Sequence, residues 1–252
     1  MLCKMDGIVL RTTDYGENHR VVTVFSLEFG KIALMARGVR KTKSRLASVC
    51  QPFTYATFHA YMSASGMGTM QQGDSIDSFR ALRESLNYAA YAAYIVELFD
   101  RFCDDRVPSE GAFLLLVTLF EYLRSNIDPE ILARIAESKI VQIAGIRPDL
   151  NRCADCNREL TESRVFSVRQ GGPLCPPCGM RDDRAHPMAP ATWRLLRTFQ
   201  LMDVQRLGNI RIGVPIRRQL SVILHDYMES YGGVYLKSRA FLDKLKQLDG
   251  EA

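Results

Sequence analysis

Two pairs of cysteines carry the most specific chemistry in the chain. Cys153-Ala-Asp-Cys156 and Cys175-Pro-Pro-Cys178 are CxxC turns separated by the eighteen residues 157–174, inside the spacing range of a zinc site. A CxxC turn aims two thiolates at one ion from nearby backbone positions, and two such turns complete the four-sulfur tetrahedron that Zn²⁺ accepts at about 2.3 Å. Four protein ligands leave no open position for water, so one structural Zn²⁺ per chain is predicted at Cys153, Cys156, Cys175 and Cys178. The alternatives are a thioredoxin-like redox pair, which needs a βαβ context that Cys153 and Cys175 lack, and two disulfides. An odd total of seven cysteines argues against an extracellular disulfide framework and for a reducing compartment. Cys3, Cys50 and Cys103 show no ligand spacing, and Cys103, on an apolar helical stretch, is expected to fill core.

The second pattern is electrostatic. No acidic residue stands between Glu28 and Asp74, while Lys31, Arg37, Arg40, Lys41, Lys43 and Arg45 fall within fifteen positions. The whole chain carries 33 Lys and Arg against 28 Asp and Glu, a net +5, so the local field is far stronger than the net charge suggests. Gly38-Val-Arg-Lys-Thr-Lys-Ser44 reads as a flexible loop whose small residues let a phosphate chain approach and whose Thr42 and Ser44 hydroxyls can donate to it. The six cations are the predicted nucleic-acid contacts, DNA-binding residues if the ligand is DNA. Phe53, Tyr55 and Tyr61 could stack on bases at ~1–3 kcal/mol each if exposed, but a small barrel needs filling and the core reading is preferred for them. For the cations, the competing reading is a merely solvated loop, and the missing counter-charges speak against it. The C-terminal region adds Arg206, Arg211, Arg217, Arg218, Lys237, Arg239, Lys244 and Lys246 against Asp226, Glu229 and Asp243, a field suited to an extended DNA track or an acidic peptide.

No catalytic centre emerges. His19, His59, His186 and His225 are scattered, with no spacing that resembles a nucleophile and its base or an HExxH pair, and each reads as structural. There is no GxxxxGK[ST] loop, and Gly66-Met-Gly68 lacks the third glycine and following helix of a dinucleotide fingerprint. Asp104, Asp105, Asp182 and Asp183 are adjacent pairs whose side chains rarely converge on a cation, so they read as solvent-facing or capping groups.

The elements that position these groups change character along the chain. At 252 residues and 47% hydrophobic content, one large domain or two modest ones can build real cores. Short β-branched and aromatic runs predict strands at Ile8–Thr13, Arg20–Ser26, Lys31–Arg37, Phe53–Tyr61 and Met67–Gln72. Five short strands within about eighty residues suit a small barrel such as the OB-fold, with an SH3-like barrel as the alternative. In the third strand Ile32, Leu34 and Ala36 share one face and Lys31, Met35 and Arg37 the other, which predicts a cationic outer wall. After Phe79 two apolar stripes at helical spacing run through Leu82–Phe102, and further helices are predicted from Ser109, from about Glu130 to Gly145, and over Pro190–Val204, Pro215–Tyr231 and Ser238–Leu248. Residues 147–189 lose periodicity and become rich in Pro, Gly, Arg and Cys, as expected of a zinc-stabilised insertion inside a helical domain. The expected organisation is therefore a nucleic-acid-binding OB-fold at 1–80 followed by an all-α domain at 81–252 that carries the zinc loop. The longest apolar stretch, Phe113–Phe120, is far short of the ~20 residues of a membrane span, and Met1–Met5 lacks the plan of a signal peptide, so a cytoplasmic protein is expected.

The residues also carry a resemblance. Gly7-Ile-Val-Leu10, Asp14-Tyr-Gly-Glu17, Phe29-Gly-Lys31, Ala36-Arg-Gly-Val-Arg40, Ser44-Arg-Leu46, Gln51-Pro-Phe53, Gly145-Ile-Arg-Pro148 ahead of Cys153, and Gly232-Gly233 followed by Leu236-Lys-Ser-Arg239 occur in one order over nearly the whole chain. Singly these motifs are weak; together the sequence resembles the RecO family of bacterial recombination mediators. That resemblance implies an N-terminal OB-fold, a helical domain, and in many members a four-cysteine zinc element. It further implies a non-enzymatic role: binding single- and double-stranded DNA, annealing complementary strands, and working with RecR to load RecA on strands coated by single-stranded DNA-binding protein. The acidic C-terminal tail of that coating protein, and RecF, are implied as further partners, and the site is the bacterial nucleoid. The alternative is a zinc-containing RNA-binding regulator or translation factor.

Overall fold

The computed structural model describes residues 1–63, 66–208 and 210–248, with the side chains of residues 246 and 248 excepted, so Lys246 lies outside the described side chains. Five strands come first along the chain: β1 (Leu2–Tyr15), β2 (His19–Ser26), β3 (Gly30–Ala36), β4 (Tyr55–Tyr61) and β5 (Gly68–Asp77). In β3 Ile32, Leu34 and Ala36 are buried while Lys31, Ala33 and Met35 are half-buried, the alternation of a strand with one face on a core. The strands close into a barrel in the order β1-β2-β3-β5-β4, with β1 completing the ring against both β2 and β4. Adjacent strands are antiparallel except β3 and β5, which run parallel through Leu34↔Gly68 and Met35↔Thr69. This is the five-stranded Greek-key barrel of the OB-fold.

All five expected strands are present, and two are longer than their apolar pattern. The first half of β1 pairs with β4 from Leu2↔Tyr61 to Ile8↔Tyr55, and the second half with β2 from Gly7↔Ser26 to Tyr15↔His19. Gly7 sits where the two pairings overlap; a Cβ there would lie 2.3 Å from Cγ1 of Val24, so only glycine lets the strands approach. β5 continues five residues beyond Gln72 because its polar tail is held by backbone pairing with β4, including Thr57↔Asp74, and not by burial of side chains.

Helices α1 (Arg80–Glu84), α2 (Leu86–Phe102) and α3 (Glu110–Arg124) follow. Ser85 and Ser109 cap α2 and α3, each accepting from a backbone N–H three residues on, at 3.4 and 3.3 Å. An aromatic seam ties them to the barrel: Phe25 meets Phe99 at 5.8 Å, Phe53 meets Phe120 edge-on at 5.7 Å, and Tyr55 meets Phe113 edge-on at 5.7 Å. Phe53 and Tyr55 thus have the core role preferred from sequence. This seam also explains why compactness divides the chain elsewhere than at 80/81: Met1–Asn126, joined by the C-terminal residues from Ser238, form one unit, and Ile127–Lys237 a second.

The second unit begins with α4 (Pro129–Ile143), whose Asp128 cap accepts from the Glu130 and Ile131 amides. It continues through a small sheet of β6 (Val165–Ser167), β7 (Gly172–Leu174) and β8 (His186–Pro187), the short helix α5 (Pro176–Gly179), and helices α6 (Pro190–Leu201) and α7 (Val214–Gly232). Helix α8 (Lys237–Leu248) returns to the first unit, where Glu97 accepts from the Ser238 amide at 2.8 Å. Helices α4, α6 and α7 pack pairwise around Leu132, Ile135, Phe199 and Leu220. The start of the cysteine-rich segment is anchored to them twice: Trp193 Nε1 donates to the Leu150 carbonyl at 2.9 Å, and the Tyr227 hydroxyl donates to the Ile146 carbonyl at 2.7 Å. Among the described residues no helix is long and apolar enough to cross a membrane.

Candidate nucleic-acid interface and metal centre

The basic segment leaves the barrel at the end of β3. Arg37, Lys41, Lys43 and Arg45 are exposed and form no ion pair among the described residues. Sequence suggested a flexible loop; instead residues 38–50 are a chain of tight turns, with Lys41 N–H on the Gly38 carbonyl, Ser44 N–H on Lys41 and Cys50 N–H on Leu46, at 3.0–3.1 Å. Val39, Val49 and Cys50 are buried in the barrel core and hold these turns down from below. Burial pushes the Cys50 thiol up to about 12, so it is an inert packing group.

Lys31 differs from the other cations and corrects the expected DNA-binding set. Its side chain is only 13% exposed; Nζ donates to the Asp100 carbonyl and lies 3.2 Å from the Asp105 carboxylate and 3.7 Å from that of Asp100. The charge is matched within the chain because the end of α2 and the turn after it bring two carboxylates to β3, that of Asp100 largely buried and that of Asp105 exposed. The expected cationic wall on β3 therefore does not form: the rest of its outward row is Ala33 and Met35, and free cations begin only at Arg37. Arg40 is intermediate, with Nη1 3.4 Å from Asp14, a carboxylate that also accepts from Arg20 Nε at 2.7 Å. The Arg20 hydrogen bond holds the Asp14 carboxyl below its ordinary range, assisted by the charge of Arg40.

Two further groups shape this surface. Nδ1 of His19, at the start of β2, accepts the Gly38 amide at 2.9 Å, and the Arg40 amide donates to the Asn18 carbonyl at 3.2 Å. The β1–β2 turn thereby fixes the entry of the basic segment. Tyr61 is the exposed aromatic of the expected trio, 54% accessible. It pairs with Thr69, and Thr69 with Met35, so it stands two strand spacings, about 10 Å, from the residue that leads into Ala36 and Arg37. Neither His19 nor Asp14 was singled out from sequence as a site residue. Only the strand register, Tyr15↔His19 and Arg20↔Ala36, brings the first hairpin beside the basic turns.

The more C-terminal cations form a broken field. Arg217 is held by Asp128 at 2.6 Å and Glu130 at 3.4 Å, Arg206 by Asp203 at 3.4 Å and Arg239 by Asp243 at 3.1 Å. Arg211, Arg218 and Lys244 form no ion pair among the described residues.

The four cysteines of the second unit converge. Their Sγ atoms all lie within 4.8 Å of one another, and Cys156 and Cys175 are 3.7 Å apart; the edge of a tetrahedron with 2.3 Å arms is about 3.8 Å. Each pair is folded as a knuckle, with the Asn157 amide on the Cys153 carbonyl at 2.9 Å and the Gly179 amide on the Cys175 carbonyl at 2.8 Å. Burial pushes the Cys153 thiol up, but the backbone N–H groups of Cys156, Cys175 and Asp155 outweigh it and bring it down to about 6. The Asp155 carboxylate acts oppositely on Cys178 and raises that thiol to about 12, while Arg181 donates to both partners, at 3.2 Å to the sulfur and 2.8 Å to Asp155. Leu174, Leu160, Ala154 and Val165 cover the cluster. A set of four convergent sulfurs with amides aimed at them fits a thiophilic tetrahedral cation and is too small a core to order this segment by itself.

Residues 1–79 match the family profile described as the N-terminal part of recombination protein O, and residues 83–240 match its C-terminal part. The chain is 43% identical to the DNA repair protein RecO of Bacillus cytotoxicus over 245 residues, covering 97% of this chain and 98% of the relative. It is 40% identical to the RecO of Bacillus pumilus over 248 residues, covering 98% and 96%, and 42% identical to a Bacillus cereus RecO over 245 residues, covering 97% and 98%. With an OB-fold barrel, a cysteine cluster and similarity that runs through both parts of the chain, this protein belongs to the RecO family of DNA repair and recombination proteins.

Proposed function

We propose that the chain is a non-enzymatic recombination mediator. It binds single- and double-stranded DNA, anneals complementary strands and, with RecR, helps to load RecA on strands coated by single-stranded DNA-binding protein. The acidic tail of the coating protein and RecF complete the set of partners, and the setting is the bacterial cytoplasm. The strands of 1–80 form the nucleic-acid module, and 81–252 supply the helices and the metal element. The observation that supports this most directly is the run of Arg37, Lys41, Lys43 and Arg45, exposed and free of ion pairs among the described residues, on turns that the barrel core holds in place. Annealing requires that two repelling backbones be neutralised and no bond be made or broken, which is work for a preformed cationic surface.

Arg37, Arg40, Lys41, Lys43 and Arg45 are the proposed phosphate contacts, and Lys31 is left out of the set. Cys153, Cys156, Cys175 and Cys178 would hold one Zn²⁺. When bound it supplies folding energy in place of a core, with apparent values of roughly 10–16 kcal/mol in small zinc peptides.

Five phosphate contacts to a single strand give a salt slope of about −3.5, so a fourfold rise in salt should weaken binding roughly a hundredfold. Charge reversal of Arg40, Lys41 and Lys43 together should abolish binding to both DNA forms while the melting temperature and metal content stay at wild-type values. The deciding assay is annealing of complementary strands precoated with single-stranded DNA-binding protein: acceleration by the wild type and none by the triple variant is expected. Equal acceleration by the triple variant, or none by the wild type, overturns the reading.

A further inference from the structure

The second unit contains a polar cleft that the reading above leaves unused. Ser167, Arg169, Asp182, Arg184, Ser230 and Tyr231 line a space of about 500 Å³ where the β6–β7 turn meets the end of α7, a size that accommodates a nucleotide.

One wall is a preformed aromatic platform. Phe166, buried on β6, meets Tyr227 edge-on at 5.8 Å, and Tyr227 stacks on Tyr231 at 4.5 Å with the rings 20° apart. The core thus supports Tyr231 from behind, while 40% of that residue remains exposed. Gly171 fits against its other end. With φ at +82° and a would-be Cβ only 2.7 Å from the Tyr231 hydroxyl, this position admits no side chain without displacing the ring.

The charges beside the platform are cationic in balance. Arg169 has a largely exposed side chain 3.6 Å from Asp182, and Arg184 is exposed and forms no close ion pair among the described residues, its charge acting on Asp182 from further away. Asp182 is buried, and its carboxylate already accepts from the Ser167 hydroxyl and the Arg184 amide. The neighbouring acids of α7, Asp226 and Glu229, lie beside His186 at 2.9 Å and His225 at 3.6 Å and do not line the cleft. Two guanidinium groups therefore face the cleft against one committed carboxylate.

We propose that this cleft is a second single-strand subsite, in which an unpaired base stacks on Tyr231 and the flanking phosphates engage Arg169 and Arg184. A rigid ring beside exposed guanidinium groups is the chemistry of sequence-tolerant single-strand binding, and a duplex has no unstacked base to offer it. The subsite rests on the DNA-binding reading and adds affinity for single strands to that of the barrel surface, without which it does not hold DNA. An annealing protein gains from it a separate place to hold unpaired bases.

The test uses the full chain with its metal and a fluorescent oligo-dT. Tyr231→Leu should weaken binding about tenfold or more, Tyr231→Phe should keep it, and neither should change duplex affinity. Arg169→Ala with Arg184→Ala should reduce the magnitude of the salt slope by about 1.4. An oligo carrying 5-iododeoxyuridine should photocross-link at Tyr231. Wild-type affinity in Tyr231→Leu with no cross-link in residues 165–232, while charge reversal at Arg40, Lys41 and Lys43 abolishes binding, overturns the cleft and leaves the barrel reading standing. The converse pattern sinks the barrel reading and, with it, the dependence of the cleft on that surface. A polyglutamate peptide that binds wild type but not the double arginine variant, with oligo-dT affinity unchanged in that variant, assigns the cleft to an acidic peptide and also overturns the proposal.

Discussion

The backbone amide of Gly38 donates to Nδ1 of His19 at 2.9 Å, so an imidazole on one strand end fixes the direction in which the basic turns leave the barrel. With the Arg40 amide on the Asn18 carbonyl, the first hairpin clamps the segment at two points. His19→Ala removes one clamp. A hydrogen bond of this kind contributes about 1 kcal/mol, so single-strand affinity should fall about fivefold, while the cationic residues stay in place and the salt slope is unchanged. Fluorescence anisotropy across a salt series checks both. A fall in affinity accompanied by a flatter salt slope would mean that His19 contacts phosphate itself.

Lys31 should behave as a strut. Replacing it by Met keeps the stem and leaves Asp100 and Asp105 without their shared cation, although Arg11 still reaches Asp100 at 2.8 Å. Of the two pairs only Lys31–Asp100 is mostly buried; removal of one partner of such a pair costs about 1–3 kcal/mol, and urea unfolding should register a loss of that size. DNA affinity of the folded variant should match wild type within a factor of two. A stable variant with weakened DNA binding would return Lys31 to the interface.

Asp14 restrains Arg40 and Arg20, and Asp14→Asn should release both. Affinity for single strands is then expected to rise about two- to fivefold at low salt, with the gain shrinking as salt screens it. The sign of the pH dependence follows from the lowered carboxyl. Its contribution to the folded state is present above the ordinary carboxylate range and is lost as pH falls through the lowered value. Asp14 is therefore fully ionised near neutrality, and the gain in the variant should be the same from about pH 6 to 8. Titrations at three pH values decide the matter, and a gain confined to the acid end counts against it.

What the sequence disclosed and what it concealed divide along contact distance. The CxxC turns are legible because three-residue spacing alone sets the direction of two sulfurs, and Ser109 is legible as a cap because its partner is three residues away. The fate of Lys31 is not legible: Asp100 and Asp105 lie about seventy residues further on and reach it only once α2 has packed on the barrel through Phe25 and Phe99. The basic turns read as flexible because Gly38, Thr42 and Ser44 are interspersed among the cations, whereas their order comes from Val39 and Val49 entering the barrel core. The platform at Tyr231 depends on Gly171, sixty residues earlier, and α7 shows no local sign of it.

Removal of metal should unfold the cysteine-rich segment and spare the barrel. The sulfurs of Cys153, Cys175 and Cys178 make up the centre of a very small cluster, so without an ion residues 147–189 lose their main source of stability. Hydrogen exchange after chelation should show protection lost at the Asn157 and Gly179 amides and kept across β1–β3. Wild-type protein purified without added zinc should carry one equivalent of metal, and Cys→Ser at all four positions should carry none. Exchange that is unchanged by chelation, or protein that binds no metal, removes the structural role assigned to the cluster.

Tyr61 offers a separate test of whether the barrel face handles bases as well as phosphates. It is exposed on the same transverse row as Met35, beside the point where the basic turns begin, whereas Phe53 and Tyr55 are committed to the seam with α3. Stacking at such a ring contributes ~1–3 kcal/mol per base and requires an unpaired base. Tyr61→Ala should therefore weaken oligo-dT binding by about fivefold or more, leave the salt slope intact and leave duplex affinity unchanged, and Tyr61→Phe should restore the wild-type value. Its cross-strand neighbour Leu2 is equally exposed and apolar, which makes Leu2→Ala the natural control for lost packing. Equal effects of Tyr61→Ala on single strands and duplex, or an effect matched by Leu2→Ala, would assign the ring to fold stability and confine DNA recognition on this face to the phosphate backbone.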